Sequence, residues 1–129
     1  MNTRNVHKAL IIGGGIAGPT MALSLAKAGI TSEIYEAYPA SEKPGGGFAI
    51  GVHGARILKE LQVPLLAQPK SGFRAYDEND SFLGEMVLCS PSSETPMLGV
   101  SRNALRTTLT DACLARDIPV YYDKKLVSI

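Results

Sequence analysis

The chain has 129 residues, enough for one domain with a real core and too few for two. With 45% hydrophobic and 19% charged residues, it has the balance of an ordinary soluble globular chain. A net charge of +1, only 6% aromatic residues and no Trp leave no bulk electrostatic or stacking argument for a nucleic-acid or membrane-surface partner.

Residues Met1 to Lys8 are polar and carry no apolar stretch of signal-peptide length. The longest apolar run, Ala9 to Ile12, is far too short to span a bilayer, so the cytoplasm is the expected address. Cys89 and Cys113 lie far apart and form no CxxC, which gives no disulfide framework. His7 and His53 have no partner at metal-ligand spacing, and no metal site is expected.

Ala9-Leu10-Ile11-Ile12 reads as a strand buried on both faces, the pattern of a parallel sheet covered by helices. Gly13-Gly14-Gly15 breaks it. A helix is expected from about Ile16 to Ala28, with Thr20, Ser24 and Lys27 on one face and Met21, Leu25 and Ala28 on another. Pro19 is tolerated in its first turn, and Gly29 closes it as a left-handed cap. Ser32 to Glu36 reads as a second strand. Tyr38 to Gly47 is a loop rich in Pro and Gly.

A second helix starts at His53 or Gly54, with Ile57, Leu58 and Leu61 on its buried side and Pro64 beyond its end. Phe73 to Asp77 and Phe82 to Leu88 read as strands joined by the turn Glu78 to Ser81, and Ser90 to Pro96 as a loop. Ser101 can cap a third helix that places Leu105, Leu109, Ala112 and Cys113 on one face. Val120 to Tyr122 reads as a strand, and Leu126 to Ile129 as the beginning of another. Because those closing residues read as the interior of a strand, the chain reads as truncated, a fragment of a larger enzyme or the product of a shortened gene.

Gly13-Gly14-Gly15-Ile16-Ala17-Gly18 fits G-x-G-x-x-G, and it stands where that fingerprint has meaning, after a buried strand and at the start of a helix. Gly13 permits the tight turn, Gly15 lets a pyrophosphate approach the backbone, and Gly18 lets the helix pack against the strands. The helix N-terminus then stabilises phosphate charge. Glu36 lies 36 − 18 = 18 positions after Gly18, where an acid accepts hydrogen bonds from an adenosine ribose and repels a 2′-phosphate. The plainer alternative is a generic βα turn with a solvated Glu. Dinucleotide binding is expected, with NAD and FAD undivided at this point, since both carry the same ADP half.

Two later segments resolve that choice by resemblance. Gly45-Gly46-Gly47-Phe48-Ala49-Ile50-Gly51 precedes the helix from His53 to Leu61, and Val100-Ser101-Arg102-Asn103-Ala104-Leu105-Arg106-Thr107-Thr108-Leu109 follows later. Together with the opening motif they resemble the N-terminal part of the para-hydroxybenzoate hydroxylase-like, FAD-dependent aromatic hydroxylases, over essentially the whole chain. The resemblance implies an α/β fold, a Rossmann-like doubly wound FAD-binding sheet of the glutathione reductase-like type, incomplete at its C-terminal side. It implies FAD as cofactor, NAD(P)H as transient reductant, and hydroxylation or epoxidation of a small, often aromatic substrate with O₂.

By the same resemblance, Glu36, with Ala37 beside it, meets the FAD ribose, and the loop around Gly46 and Gly47 passes close to the cofactor. Arg102 reaches the phosphate and ribose region. Arg102 opens a helix, where the dipole disfavours a cation and a bound anion would offset that cost; a surface carboxylate or solvent would serve as well. The expected cofactor-binding set is therefore Gly13, Gly15, Ile16, Ala17, Gly18, Glu36, Ala37, Gly46, Gly47 and Arg102, with no catalytic residue assigned. Residues 1–129 are read as part of one FAD-binding domain, with residues 64–98 as the start of a substrate-binding sheet.

Phe73, Tyr76, Phe82 and Met86 are candidates for its wall, with ordinary packing as the plainer reading. Lys124 and Lys125 read as a solvated turn. The family's later Asp-Gly and Gly-Asp segments are absent from this sequence. If the first strand lacks a neighbour on one side, it becomes an apolar edge open to pairing with another chain, and the chain alone is expected to be marginally stable. Two other readings remain: a non-catalytic remnant or interaction module with weak nucleotide binding, and an NAD-dependent dehydrogenase domain. Against the latter stands the stretch from Gly45 to Leu61, which lacks a regular βαβ continuation.

Overall fold

The computed structural model describes residues 8–64, 67–87, 90 and 97–128. The expectations for His7, Leu88, Cys89, the loop at 91–96 and Ile129 lie outside the described residues. The chain is mixed α/β, and it divides into two compact units, one within Met1–Gly46 and Arg102–Ile129, the other within Gly47–Ser101.

In the first unit, β1 (Lys8–Ile12) leads through the glycine loop into α1 (Ala17–Lys27), and β2 (Thr31–Tyr35) follows. β1 and β2 are parallel, in the register Lys8↔Thr31 to Ile12↔Tyr35. Gly13 turns at φ +107°, a region costly for any residue with a Cβ, and donates its N–H to the Tyr35 carbonyl at 2.8 Å. Gly18 is in the first turn of α1, and a Cβ there would be driven into the Gly13 carbonyl. Helix and strand approach this closely only because residue 18 has no side chain. Gly29 ends the helix at φ +74°.

Helix α1 buries Pro19, Ala22 and Leu23, an i, i+3, i+4 stripe. This corrects the face suggested by Met21, Leu25 and Ala28: Met21 and Ala28 are exposed, because the stripe that meets β2 and the last helix of the unit is rotated by one residue. That helix, α3 (Arg102–Leu114), buries Leu105, Leu109, Ala112 and Cys113, as its spacing predicts, together with Thr110. Ile34 of β2 and Leu109 of α3 are fully buried in this core.

After α3, β8 (Val120–Tyr121) joins the sheet on the far side of β2, giving the order β1-β2-β8, all parallel. Among the described residues, helices cover only one face of this sheet. Leu10 is 64% exposed and Ile12 53%, so the expectation of a strand buried on both faces does not hold: α1 and α3 cover the face of Ile34, while on the other Lys124, Lys125 and Leu126 line a cavity with Leu10, Ile12 and Tyr35. On that open face Lys8 pairs with Glu33, Tyr35 donates its hydroxyl to Glu33 at 2.9 Å, and the Tyr35 and Tyr121 rings lie 5.1 Å apart. The lysine hydrogen bond, with the tyrosine second, holds the Glu33 carboxyl below its ordinary pKa. Residues 126–128 form no strand, contrary to expectation; they find no ladder partner among the described residues, and Val127 is 89% exposed.

The second unit contains β3 (Gly47–Ile50), α2 (Val52–Glu60), β4 (Gln68–Lys70), the hairpin β5 (Gly72–Tyr76) and β6 (Phe82–Val87), and β7 (Met97–Ser101). β3 and β4 flank β7 antiparallel in a three-stranded sheet. None of these three strands was expected from sequence. β4 carries Pro69, which an edge strand tolerates. Helix α2 buries Leu58 and, at its end, Leu61, whereas Ile57, expected beside them, points outward and is exposed. Among the described residues, the hairpin residues Phe73, Tyr76, Phe82 and Met86 are all more than half exposed. A two-stranded ribbon has no second layer of its own to bury them.

Candidate functional site

The first unit contains a cavity of about 600 Å³, within the range of small-molecule sites. Its lining is Gly15, Ile16 and Ala17 from the start of α1, Glu36, the loop residues Tyr38, Glu42 and Pro44, and Arg102 and Arg106 from α3. Five of the ten sequence-derived residues therefore meet here: Gly15, Ile16, Ala17, Glu36 and Arg102. Gly13 and Gly18 stand behind the wall, shaping the turn and the helix approach described above. Ala37 is exposed beside Glu36 and does not line the cavity. Gly46 turns at φ +86°, and its carbonyl accepts the Arg102 N–H at 3.0 Å, so the loop fixes the start of α3. Gly47 belongs to the second unit, where it pairs with Ser101 in the β3–β7 ladder.

Helix α1 begins at this cavity without a side-chain cap and without an acid in its first turn. Its first N–H groups thus have no intrahelical acceptor, and no acid of the helix itself offsets the positive end of its dipole. Opposite in charge is Glu36. Its Oε2 accepts the Gly14 N–H at 2.6 Å and its Oε1 the Tyr38 N–H at 2.9 Å. The backbone of Glu36 is tied in as well, donating to the Tyr121 carbonyl and accepting from Lys124, each at 2.8 Å.

Arg102 and Arg106 are four residues apart on α3, on one helix face. The Arg102 side chain is exposed at the cavity. Sequence reading missed Arg106. Its Nη2 donates to the Glu42 carbonyl, which braces the loop wall, and its Nε is buried with no partner among the described residues. The signal that could have found it was the i, i+4 repeat of arginine after Arg102. A helix N-terminus, the two guanidinium groups of Arg102 and Arg106 and the carboxylates of Glu36 and Glu42 around one cavity can together take a ligand that is anionic at one part and rich in hydroxyl donors at another. His53 is exposed on α2 and lies 3.3 Å from the Arg56 guanidinium, apart from this cavity. Lys124 and Lys125 are exposed but form no turn, and they line a separate cavity with Leu10, Ile12, Tyr35 and Leu126.

No family model matches the chain. It is 33% identical over 128 aligned positions to YetM of Bacillus subtilis (strain 168), provisionally named an FAD-dependent monooxygenase, covering 92% of this chain and 34% of that protein. It is 31% identical to the FAD-dependent monooxygenase aptC of Emericella nidulans, covering 93% of this chain and 33% of that one. A shorter match, 42% identical over 59 positions, is to 3-amino-4-hydroxybenzoate 2-monooxygenase PtmB3 of Streptomyces platensis, covering 46% of this chain and 15% of that one.

Among solved structures, 2-methyl-3-hydroxypyridine-5-carboxylic acid oxygenase superposes with a TM-score of 0.75 at 18% identity, over 92% of this chain and 32% of that one. The p-nitrophenol 4-monooxygenase PnpA of Pseudomonas putida DLL-E4 gives 0.74 at 17%, over 88% and 31%. At these identities the superpositions speak for the fold alone. The chain spans at most about a third of the length of the relatives named here. Over more than nine-tenths of its length the chain is similar to FAD-dependent monooxygenases, and it corresponds to about a third of such a protein.

Proposed function

We propose that this chain supplies the ADP-binding half of the FAD site in a flavin-dependent monooxygenase acting on a small aromatic substrate. The observation that carries this reading is the single cavity joining the uncapped start of α1, the Glu36 carboxylate and the paired arginines of α3. The residues fit the group. Gly15, Ile16 and Ala17 would hold the pyrophosphate on the α1 N-terminus, with Gly13 and Gly18 shaping that approach. Glu36, next to Ala37, would accept the adenosine ribose hydroxyls. Arg102 would offset phosphate charge from the α3 side, with the Gly46 carbonyl holding the start of that helix.

Bound FAD would supply the redox and oxygen chemistry, and NAD(P)H the electrons. The part of these residues is to bind and orient. We further read β1-β2-β8 as part of a Rossmann-like doubly wound sheet of the glutathione reductase-like type, supported by the parallel order and the glycine turn after β1. Residues 64–98 are read as the start of a substrate-binding sheet. An aromatic substrate is supported by the relative named for 3-amino-4-hydroxybenzoate and by the exposed ring pair Tyr76 and Phe82.

The test is the absorption spectrum of the purified chain with and without FAD, repeated for Gly15→Val. A Cβ at Gly15 meets nothing within 4 Å, so the new side chain leaves the backbone into open space at the cavity wall. Flavin that survives desalting in the wild type and is lost in the variant supports the reading. No spectral change at any FAD concentration withdraws it for this chain.

A second reading, an interaction module that pairs with another chain, is favoured by one observation: β1 has β2 as its only described neighbour, and Leu10 and Ile12 lie open. Sedimentation that shows only monomer at high concentration would remove it.

A further inference from the structure

The glycine loop leans on Glu36. The carboxylate reaches across from the end of β2 to the Gly14 N–H, and its other oxygen takes the Tyr38 N–H. Gly14 is buried directly beneath that side chain. A Cβ at position 14 would stand 3.0 Å from the Glu36 Cβ, 3.3 Å from its Cγ and 3.2 Å from Oε2. The middle position of the glycine motif, free to vary in the general fingerprint, is thus occupied here by a residue small enough to admit the acid. Glu36 itself is anchored by its backbone to Tyr121 and Lys124.

We infer that Glu36 is a positioning residue for the glycine loop, holding it in its anion-receiving shape before any nucleotide arrives. The inference rests on the FAD reading for its use but not for its geometry. A carboxylate offers about four acceptor positions. Two are taken by Gly14 and Tyr38, and two remain for a vicinal diol, so the ribose can bind without releasing the loop. The two roles differ in their effect on a ligand that has phosphates and no ribose. Glu36 as a ribose acceptor alone would repel inorganic pyrophosphate, and removing the charge would tighten its binding. Glu36 as the support of the loop would make the same removal weaken it.

The experiment follows the Gly14 amide by NMR in the ligand-free chain and then titrates inorganic pyrophosphate, in the wild type, Glu36→Gln and Glu36→Ala. Loss of a charge-assisted hydrogen bond should speed exchange at Gly14 about tenfold or more in Glu36→Ala. Glu36→Gln, which keeps an acceptor oxygen, should fall between. If Glu36→Ala does not fold, Glu36→Asp, which keeps the charge but is one methylene shorter, is expected to shift Gly14 exchange in the same direction. Equal Gly14 exchange in the wild type and in the folded variant overturns the inference, as does tighter pyrophosphate binding in Glu36→Ala. If not even the wild type responds to pyrophosphate or to FAD, the cofactor reading fails, while the exchange rates still decide whether Glu36 holds the loop.

Discussion

The two units of this chain bury their residues in different ways. In the first, a parallel sheet rests on α1 and α3, and a continuous core runs from Pro19 through Leu23, Ile34 and Leu109 to Cys113. In the second, the buried residues are fewer and sit where α2 meets the three-stranded sheet: Ala55, Leu58, Leu61, Val63, Met97 and Val100. The hairpin β5–β6 in that unit exposes its large apolar residues. One unit is thus specified by close packing around a turn, and the other by strand pairing between distant segments. The proposed cofactor cavity lies wholly within the first.

The sharpest way to break that contrast is a pair of glycine substitutions with the same local fault. A Cβ at Gly18 would collide with the Gly13 carbonyl, and a Cβ at Gly72 with the Met86 carbonyl. Gly18→Ala should cost about 3 kcal/mol or more and remove cooperative melting of the first unit, since the helix cannot retreat without leaving its core. Gly72→Ala should shift the hairpin alone, seen as chemical-shift changes confined to residues 72–87. If both substitutions gave equal loss of global stability, the distinction between the units would fall.

Next in size is truncation of each core. Leu109→Ala, at a fully buried site, is expected to cost about 3–5 kcal/mol in denaturant unfolding, and Leu58→Ala, which is slightly exposed, nearer 2. A reversed order would place the firmer core in the second unit. A smaller effect belongs to the cavity rim. Arg106→Met removes the brace to Glu42 and an orphaned donor, and should weaken FAD about tenfold in a titration of the chain while moving stability by about 1 kcal/mol or less.

The smallest effect is on the hairpin turn. The Asp77 carboxyl accepts the Asn79 and Ser81 N–H groups, each at 2.8 Å, and these bonds hold its pKa below the usual aspartate value, Ser81 contributing most. A depressed folded pKa means support that is present above the unfolded value of about 4 and lost as pH falls through the folded one. NMR shifts of residues 77–81 should therefore stay constant down to about pH 4 and change below it, and Asp77→Asn should flatten that change.

Legibility in the sequence followed the same division. The β1-loop-α1-β2 unit could be read because each step has a local cause: an apolar run, glycines in a fixed pattern, a stripe at helical spacing, and an acid at a set distance. Gly15, Ile16, Ala17 and Glu36 meet in the cavity for that reason, whereas Arg102, on α3, was reached by family resemblance. What local reasoning missed was set by distant partners. β3 and β7 are short and glycine-containing, and they become strands only because Gly47 meets Ser101 and Ile50 meets Leu98 across about fifty residues. The open face of β1 was missed because an apolar run cannot say how many layers will cover it. Arg106 was missed because its meaning depends on the carbonyl of Glu42, which only the fold brings near.

Cys113 gives the first unit a gauge of its own motion. Its thiol is buried in the core against the Pro19 carbonyl, at 3.5 Å, and burial pushes its pKa up to about 11. Near neutral pH such a thiol is neutral and sealed, so a thiol reagent can react only while α3 and α1 are parted. The rate of alkylation at Cys113, resolved by mass spectrometry, is then a clock for the opening of the layer behind the glycine loop. A bound dinucleotide that tightens the loop should slow that clock without touching the sulfur.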